Sequence, residues 1–209
     1  EISACLVGSE MCIRDRYLHG IHVAGHKSTA QMSAVKLPLP DSVVIPMAMH
    51  IGAPAKPVVK VGDYVKTGQL IGEPGGFVSA PIYASVSGTV KKIGEMLGSN
   101  GRMMQTVEIE SDGLDARWEG IAPPKLDTMQ DFLDAVRASG LVGLGGAGFP
   151  TVVKLTVKNL EQVRAVIING AECEPYITSD TRTMLDRSEE LMEGCLLYTS
   201  PSPRDRQKS

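Results

Sequence analysis

The stretch richest in chemical possibility is Gly140-Leu-Val-Gly-Leu-Gly-Gly-Ala-Gly-Phe-Pro-Thr151. Gly140, Gly143, Gly145, Gly146 and Gly148 are crowded into it, and in a helix or strand interior each glycine costs roughly 0.5–1 kcal/mol relative to alanine. What glycine permits is positive φ and close approach of bare backbone to a ligand. A run of N–H groups with no side chains in the way cradles phosphate, more so where a helix follows. Pro150 suits the start of that helix, because its missing N–H would go unpaired there anyway. Lys154 adds a cation one turn later. The chemistry is that of a nucleotide-phosphate loop.

A second element follows at Ile168-Asn-Gly-Ala-Glu-Cys-Glu-Pro-Tyr176. The aliphatic run Ala165-Val-Ile-Ile168 predicts a buried strand, so Asn169, Glu172 and Glu174 fall at its carboxyl end. Open α/β sheets bind ligands there. An amide can read the edge of a flavin or nucleotide ring, and a glutamate can accept from ribose hydroxyls. The alternative for Glu172 and Glu174 is an ordinary solvated turn. Cys173 between them reads as a small buried residue rather than a redox centre.

Gly143-x-Gly145-x-x-Gly148 also satisfies the dinucleotide fingerprint, but that motif needs a strand before the glycines and a long helix after them. Here a helix precedes. Asp127 or Thr128 can cap it, and Met129, Phe132, Leu133 and Val136 recur at helical spacing. It ends at Ser139-Gly140, a glycine C-terminus. A short helix from Pro150 to Leu155 and another from Asp180 to Glu193 complete the start of an α/β domain over 127–194.

Upstream, residues 17–121 predict an all-β domain. Short strands at Val43–Pro46, Val58–Val61, Tyr64–Lys66, Gln69–Ile71, Phe77–Ser79, Ile82–Ala84, Gly88–Ile93 and Thr106–Glu110 are separated by Gly, Pro and Asp turns. Ala122-Pro-Pro-Lys125 reads as a linker. His19, His22 and His26 are spaced closely enough to suggest a metal, but no acidic or cysteine companion accompanies them, and they read as loop histidines.

A net charge of −3 gives no electrostatic case for nucleic acid. No apolar run approaches the ~20 residues of a membrane helix. Leu6–Arg16 and Cys195–Asp205 resemble translated read-through of a sequencing-library adapter, so 1–16 and 195–209 are set aside from the fold. Of the four cysteines, that leaves Cys173, too few for a disulfide framework or metal cluster.

Two resemblances emerge from these words. VKVGDYVKTGQLIGE with SAPIYASVSGTVKKIG resembles the biotinyl/lipoyl domain, a barrel-sandwich hybrid. Carrier domains of that type hold their prosthetic group on a hairpin lysine; no lysine lies between Lys66 and Lys91, so the fold is expected without the swinging arm. GLVGLGGAGFPTVVKL with VIINGAECEPYITSDTR resembles the C subunit of the Rnf electron-transport complex, an ion-pumping ferredoxin:NAD+ oxidoreductase, and HIGAPAKPVVKVGD matches the same family's β domain. The second domain is also similar to the flavin subunit of respiratory NADH dehydrogenase.

The resemblance implies a peripheral subunit on the cytoplasmic side of a bacterial membrane, binding FMN and NAD(H) beside membrane and ferredoxin-like partner subunits. It places Gly143, Gly145, Gly146, Gly148 and Lys154 at the FMN phosphate, and Asn169 and Glu172 in the flavin loop. Phe149 falls on the nicotinamide side and Glu174 near the NAD(H) site. Where the NADH dehydrogenase version has Arg, Asp and Gly, this sequence has Leu144, Ala171 and Cys173. No Cys-x-x-Cys is present, so [4Fe-4S] clusters are expected only in a C-terminal part beyond this sequence, which reads as an N-terminal fragment inactive by itself. Alternatives are a related flavoprotein reductase of the cobalamin-reductase type and a non-catalytic assembly module with an empty nucleotide site.

Overall fold

A computed structural model describes residues 23–98, 101–144, 148–159, 162–172 and 174–199. Contacts group them into two compact units: Leu37–Thr156, and a second joining residues 23–36 to those from Val157 onward.

The first unit contains seven strands: β1 (Ser42–Pro46), β2 (Lys56–Pro57), β3 (Tyr64–Val65), β4 (Leu70–Glu73), β5 (Ile82–Tyr83), β6 (Gly88–Leu97) and β7 (Met103–Ser111). They form a four-stranded sheet in the order β1-β7-β6-β3 and a three-stranded sheet in the order β2-β4-β5. Every pairing is antiparallel. Strand alternation puts one face inward. Ile45, Val107 and Ile109 are buried, whereas Val44 is half exposed and Lys91 pairs with Glu110 on the outside at 2.5 Å.

In β6 the register shifts between Val90 and Lys92. This bulge re-phases the alternation, so that Val90 opposite Ile109 and Ile93 opposite Val107 both face the core. Ile71 and Ile82 of the smaller sheet complete the same core with Met47, Val65 and Val86. Burying each such aliphatic side chain contributes roughly 1.5–3 kcal/mol.

Two of the expected strands do not form. Val58–Val61 is irregular chain leading into a turn: the pairing that Lys56 and Pro57 make with β4 ends with the Val58 N–H donating to the Ile71 carbonyl at 2.9 Å. Phe77–Ser79 is a bend: its backbone is tied to the loop before β2 instead of to a neighbouring strand. The Ala53 N–H donates to the Val78 carbonyl at 3.0 Å, and the Ser79 hydroxyl donates to the Ala53 carbonyl at 2.8 Å. These two bonds fasten the chain between β4 and β5 to the loop before β2.

The helix α1 (Met129–Ala138) then opens with a capping box. The Asp131 N–H donates to the Thr128 hydroxyl at 3.1 Å, and the Thr128 N–H donates to the Asp131 carboxylate at 2.9 Å. Those hydrogen bonds from Thr128 hold the Asp131 carboxyl below its ordinary value. A short helix, α2 (Thr151–Leu155), closes the unit, with Pro150 as its cap residue.

The second unit is helical: α3 (Ser179–Asp186) and α4 (Ser188–Thr199). One continuous helix from Asp180 to Glu193 is expected from the sequence; Arg187 interrupts it, leaving helical dihedrals at φ −129° and ψ 34°. The segment 23–36 docks here through Lys27, whose Nζ donates to the carbonyls of Glu174 at 2.9 Å and Ile177 at 2.6 Å. The hydroxyls of Thr29 and Thr178 meet at 2.8 Å, and His26 stacks on Tyr176.

The buried strand expected at Ala165–Ile168 is not formed. These residues are irregular and Ile167 is 87% exposed. An aliphatic run becomes a parallel strand only when a neighbour completes its ladder. Among the described residues no strand pairs with it.

Candidate functional site

The glycine-rich turn is a clamped loop. The Gly143 N–H donates to the Phe149 carbonyl at 2.9 Å and the Thr151 N–H to the Leu141 carbonyl at 3.0 Å, with Val142 opposite Pro150 in an antiparallel bridge. The chain thus leaves α1, and an excursion whose two ends, Gly143 and Phe149, are bonded together leads into α2. Gly145 and Gly146 lie outside the described residues.

Lys154, in the last turn of α2, folds back over this excursion. Its Nζ is 5.9 Å from the centre of the Phe149 ring, and a Cβ placed on Gly143 would lie 3.6 Å from the same nitrogen. That Cβ would also sit 3.8 Å from the Phe149 N and O atoms. Gly143 therefore leaves open a small space bounded by bare backbone and an ammonium group. No described carboxylate pairs with Lys154. α2 is too short to supply much dipole, so the Lys154 cation is the main source of attraction for an anion among the described residues. An ammonium group beside backbone free of side chains is chemically compatible with a phosphate monoester such as the end of FMN.

The loop's ends rest on the β domain. Gly140 has φ +71°, and a Cβ there would come within 2.6 Å of the Pro81 carbonyl oxygen. Gly148 has φ +64°, and its Cβ would lie 2.6 Å from the Met49 carbonyl oxygen and 2.9 Å from the His50 Cα. Only glycine fits either place. The Tyr83 hydroxyl donates to the Ala138 carbonyl at the end of α1, and Arg137 lies over the Phe77 ring at 5.7 Å. Burial raises the Tyr83 hydroxyl above its ordinary range, keeping it a donor.

The acidic loop belongs to the other unit, so the expected site residues divide: Gly143, Gly148, Phe149 and Lys154 in one, Asn169, Glu172 and Glu174 in the other. Asn169 Oδ1 accepts from the Ala171 N–H at 3.1 Å, an Asx turn that bends the chain away from the aliphatic run. Glu172 Oε1 accepts from the Thr181 N–H at 2.8 Å and so caps α3. Glu174 gives its carbonyl to Lys27 and leaves its side chain exposed. A Cβ on Gly170 would collide with the Met184 sulfur, so this loop also lies closely against α3. Cys173 lies outside the described residues, as do His19 and His22. Among the described residues no three metal-ligating side chains gather.

Sequence reasoning missed three things here: the cap made by Glu172, the anchor made by Lys27, and the seat of Gly140 and Gly148 on the β domain. Thr178-Ser179-Asp180 does signal a helix start. A cap reaching back nine residues, and a lysine bound 147 residues away, leave no periodic trace in the sequence.

The geometry defines a two-sheet β domain followed by a glycine-rich loop between two helices, and both parts fall within matched families. The family model for the RnfC barrel sandwich hybrid domain matches residues 16–114. That for the Nuo51 FMN-binding domain matches residues 136–202. The chain is 44% identical over 190 residues to the C subunit of the Na(+)-translocating ferredoxin:NAD(+) oxidoreductase complex of Acetobacterium woodii, covering 86% of this chain and 42% of that one. It is 44% identical over 179 residues to the C subunit of the proton-translocating ferredoxin:NAD(+) oxidoreductase complex of Clostridium ljungdahlii, covering 84% and 39%. With the C subunit of the ion-translocating oxidoreductase complex of Rhodobacter capsulatus it shares 40% identity over 181 residues, 84% of this chain and 35% of the relative.

The chain belongs to the RnfC family, the C subunits of Rnf complexes, and has that family's barrel-sandwich hybrid domain followed by its FMN-binding domain. It spans about two fifths of the length of the first two of these relatives.

Proposed function

We propose that this chain forms the FMN- and NAD(H)-binding part of the peripheral C subunit of an ion-translocating ferredoxin:NAD+ oxidoreductase. The observation that carries this reading is Lys154 Nζ poised over the bare backbone of Gly143 in a loop clamped by the Val142–Pro150 bridge. That loop lies within the residues matched by the FMN-binding domain.

FMN, when bound, supplies the ability to take electrons as a hydride pair and pass them on singly. The protein's share is position and electrostatics. Gly143, Gly145, Gly146 and Gly148 offer backbone to the phosphate, and Lys154 neutralises its charge. Asn169 and Glu172 serve the flavin's ring edge and hydroxyls; Glu172 has one carboxylate oxygen beyond the one that caps α3. Phe149 and Glu174 serve NAD(H). The redox partners are the complex's ferredoxin-like and membrane subunits on the cytoplasmic face, with [4Fe-4S] clusters outside these residues. Among the described residues no helix is long and apolar enough to cross a membrane.

The test is titration with FMN, followed by NADH, of this chain continued with the remaining sequence of the Acetobacterium woodii relative. Quenching of flavin fluorescence and bleaching by NADH are expected. A folded protein that binds no flavin would instead be an assembly module, its glycine loop purely structural. Replacing Glu174 by Gln should weaken NADH reduction more than FMN binding; equal loss of both would overturn the assigned division of roles.

A further inference from the structure

The glycine loop is seated on two separate backbone segments of the β domain, and the His50 side chain ties them where they meet the loop. Gly140, before the loop, lies against the carbonyl of Pro81. Gly148, at its far side, lies against Met49 and His50. Between these supports stands His50, buried, with its Nε2 accepting a hydrogen bond from the Ala80 N–H at 3.1 Å. An amide N–H can only donate, so Nε2 must present its lone pair and the ring proton resides on Nδ1. Nδ1 lies 3.2 Å from the Ile51 carbonyl, which accepts that proton's hydrogen bond. Both ring nitrogens are thereby satisfied, and the Met49–His50 segment is tied to Ala80–Pro81. This imidazole makes the tie nearest the loop's two supports; the Ala53–Val78 and Ser79–Ala53 hydrogen bonds join the same segments a few residues further along.

We infer that His50 is a positioning residue for the phosphate end of the flavin, fixing through Gly140 and Gly148 the opening of the loop beneath Lys154. This rests on the reading of that loop as the FMN phosphate cradle. The His50 side chain bonds to Ala80 and Ile51, and it acts through the backbone that carries the loop. Removing the Nε2 acceptor leaves the Ala80 N–H buried without a partner, a costly state that the two segments relieve by moving apart. Such movement spreads the loop ends and costs phosphate affinity while leaving contacts to the rest of a flavin untouched.

The experiment compares FMN with riboflavin, which lacks the phosphate, on the chain continued as above. In His50→Leu the FMN Kd should rise about tenfold, near 1.4 kcal/mol, with the riboflavin Kd unchanged. His50→Gln, whose side-chain oxygen can accept from the Ala80 N–H, should restore the preference for FMN. Amide exchange at Ala80 should quicken in the Leu variant and slow again in the Gln variant. Equal weakening of both flavins in His50→Leu would mean that His50 merely holds the fold, and no change in either would remove it from the site; each result overturns the proposal. Gly143→Ala separates the underlying reading, because its Cβ meets only ordinary contacts yet fills the cradle. If Gly143→Ala binds FMN as the parent does, the cradle itself is wrong and the role of His50 falls with it. If it loses FMN while His50→Leu does not, the cradle stands and only the role of His50 is lost.

Discussion

Glu172 Oε1 accepts a hydrogen bond from the Thr181 backbone N–H at 2.8 Å, so a residue expected at the flavin also begins a helix. Thr181 occupies the third position of α3, and its N–H is one of four that a helix cannot satisfy internally. Thr178 precedes α3 but makes no side-chain cap of its own. Glu172 takes that place from outside the helix, with its negative charge at the favourable end of the dipole. Glu172→Ala should therefore destabilise α3 by about 1 kcal/mol. Faster amide exchange at Thr181 without any flavin present is the check; unchanged exchange would show that the carboxylate is not the cap.

Lys154 carries the cation over Gly143. Charge-assisted hydrogen bonds contribute about 1.5–3 kcal/mol, so Lys154→Ala should weaken FMN binding roughly tenfold to a hundredfold. Lys154→Arg should retain part of the affinity. Riboflavin binding should change little in either variant, and isothermal titration with both flavins reads the difference.

Asp112 predicts an acid-sensitive β domain. Its carboxylate accepts from the Ser87 hydroxyl at 2.6 Å, the Tyr64 hydroxyl at 2.6 Å and the Leu114 N–H at 2.9 Å. The Ser87 bond first, then the Tyr64 bond, hold the Asp112 carboxyl below its ordinary value. A group depressed in the folded state stabilises above its unfolded pKa, about 3.9, and loses that contribution as pH falls through the folded value. Denaturant midpoints measured downward from pH 5 should therefore fall more steeply in the parent than in Asp112→Asn. The bond to Asp112 likewise raises Tyr64, so its contribution is present at neutral pH and lost only as pH climbs beyond about 10.

Ile109 is fully buried in β7, and Ile109→Ala should cost about 2–5 kcal/mol. Val44, on β1 and half exposed, should change stability by less than about 0.5 kcal/mol on the same substitution. Urea unfolding of the two variants tests the inward and outward faces of the larger sheet.

Local rules in the sequence determined much of this protein. Thr128, with Asp131 three residues on, specifies a helix start from side chains that need no distant partner. The alternation through Thr106–Glu110 specifies a strand face, because its period of two matches the pleat. The crowding of glycines from Gly140 to Gly148 marks an irregular loop, since the interior of a helix or strand does not tolerate that cost. Aliphatic content alone did not determine Ala165–Ile168, because a strand exists only with a neighbour to complete its hydrogen bonds. Tertiary structure decided which glycine touches what: Gly148 against Met49 and Gly140 against Pro81 join positions some 60 to 100 residues apart. Tertiary structure likewise made His50 a tie between those supports and Glu172 a helix cap. Such roles depend on where a hydrogen-bonding atom ends up relative to backbone far away in sequence, and no residue type or spacing encodes that.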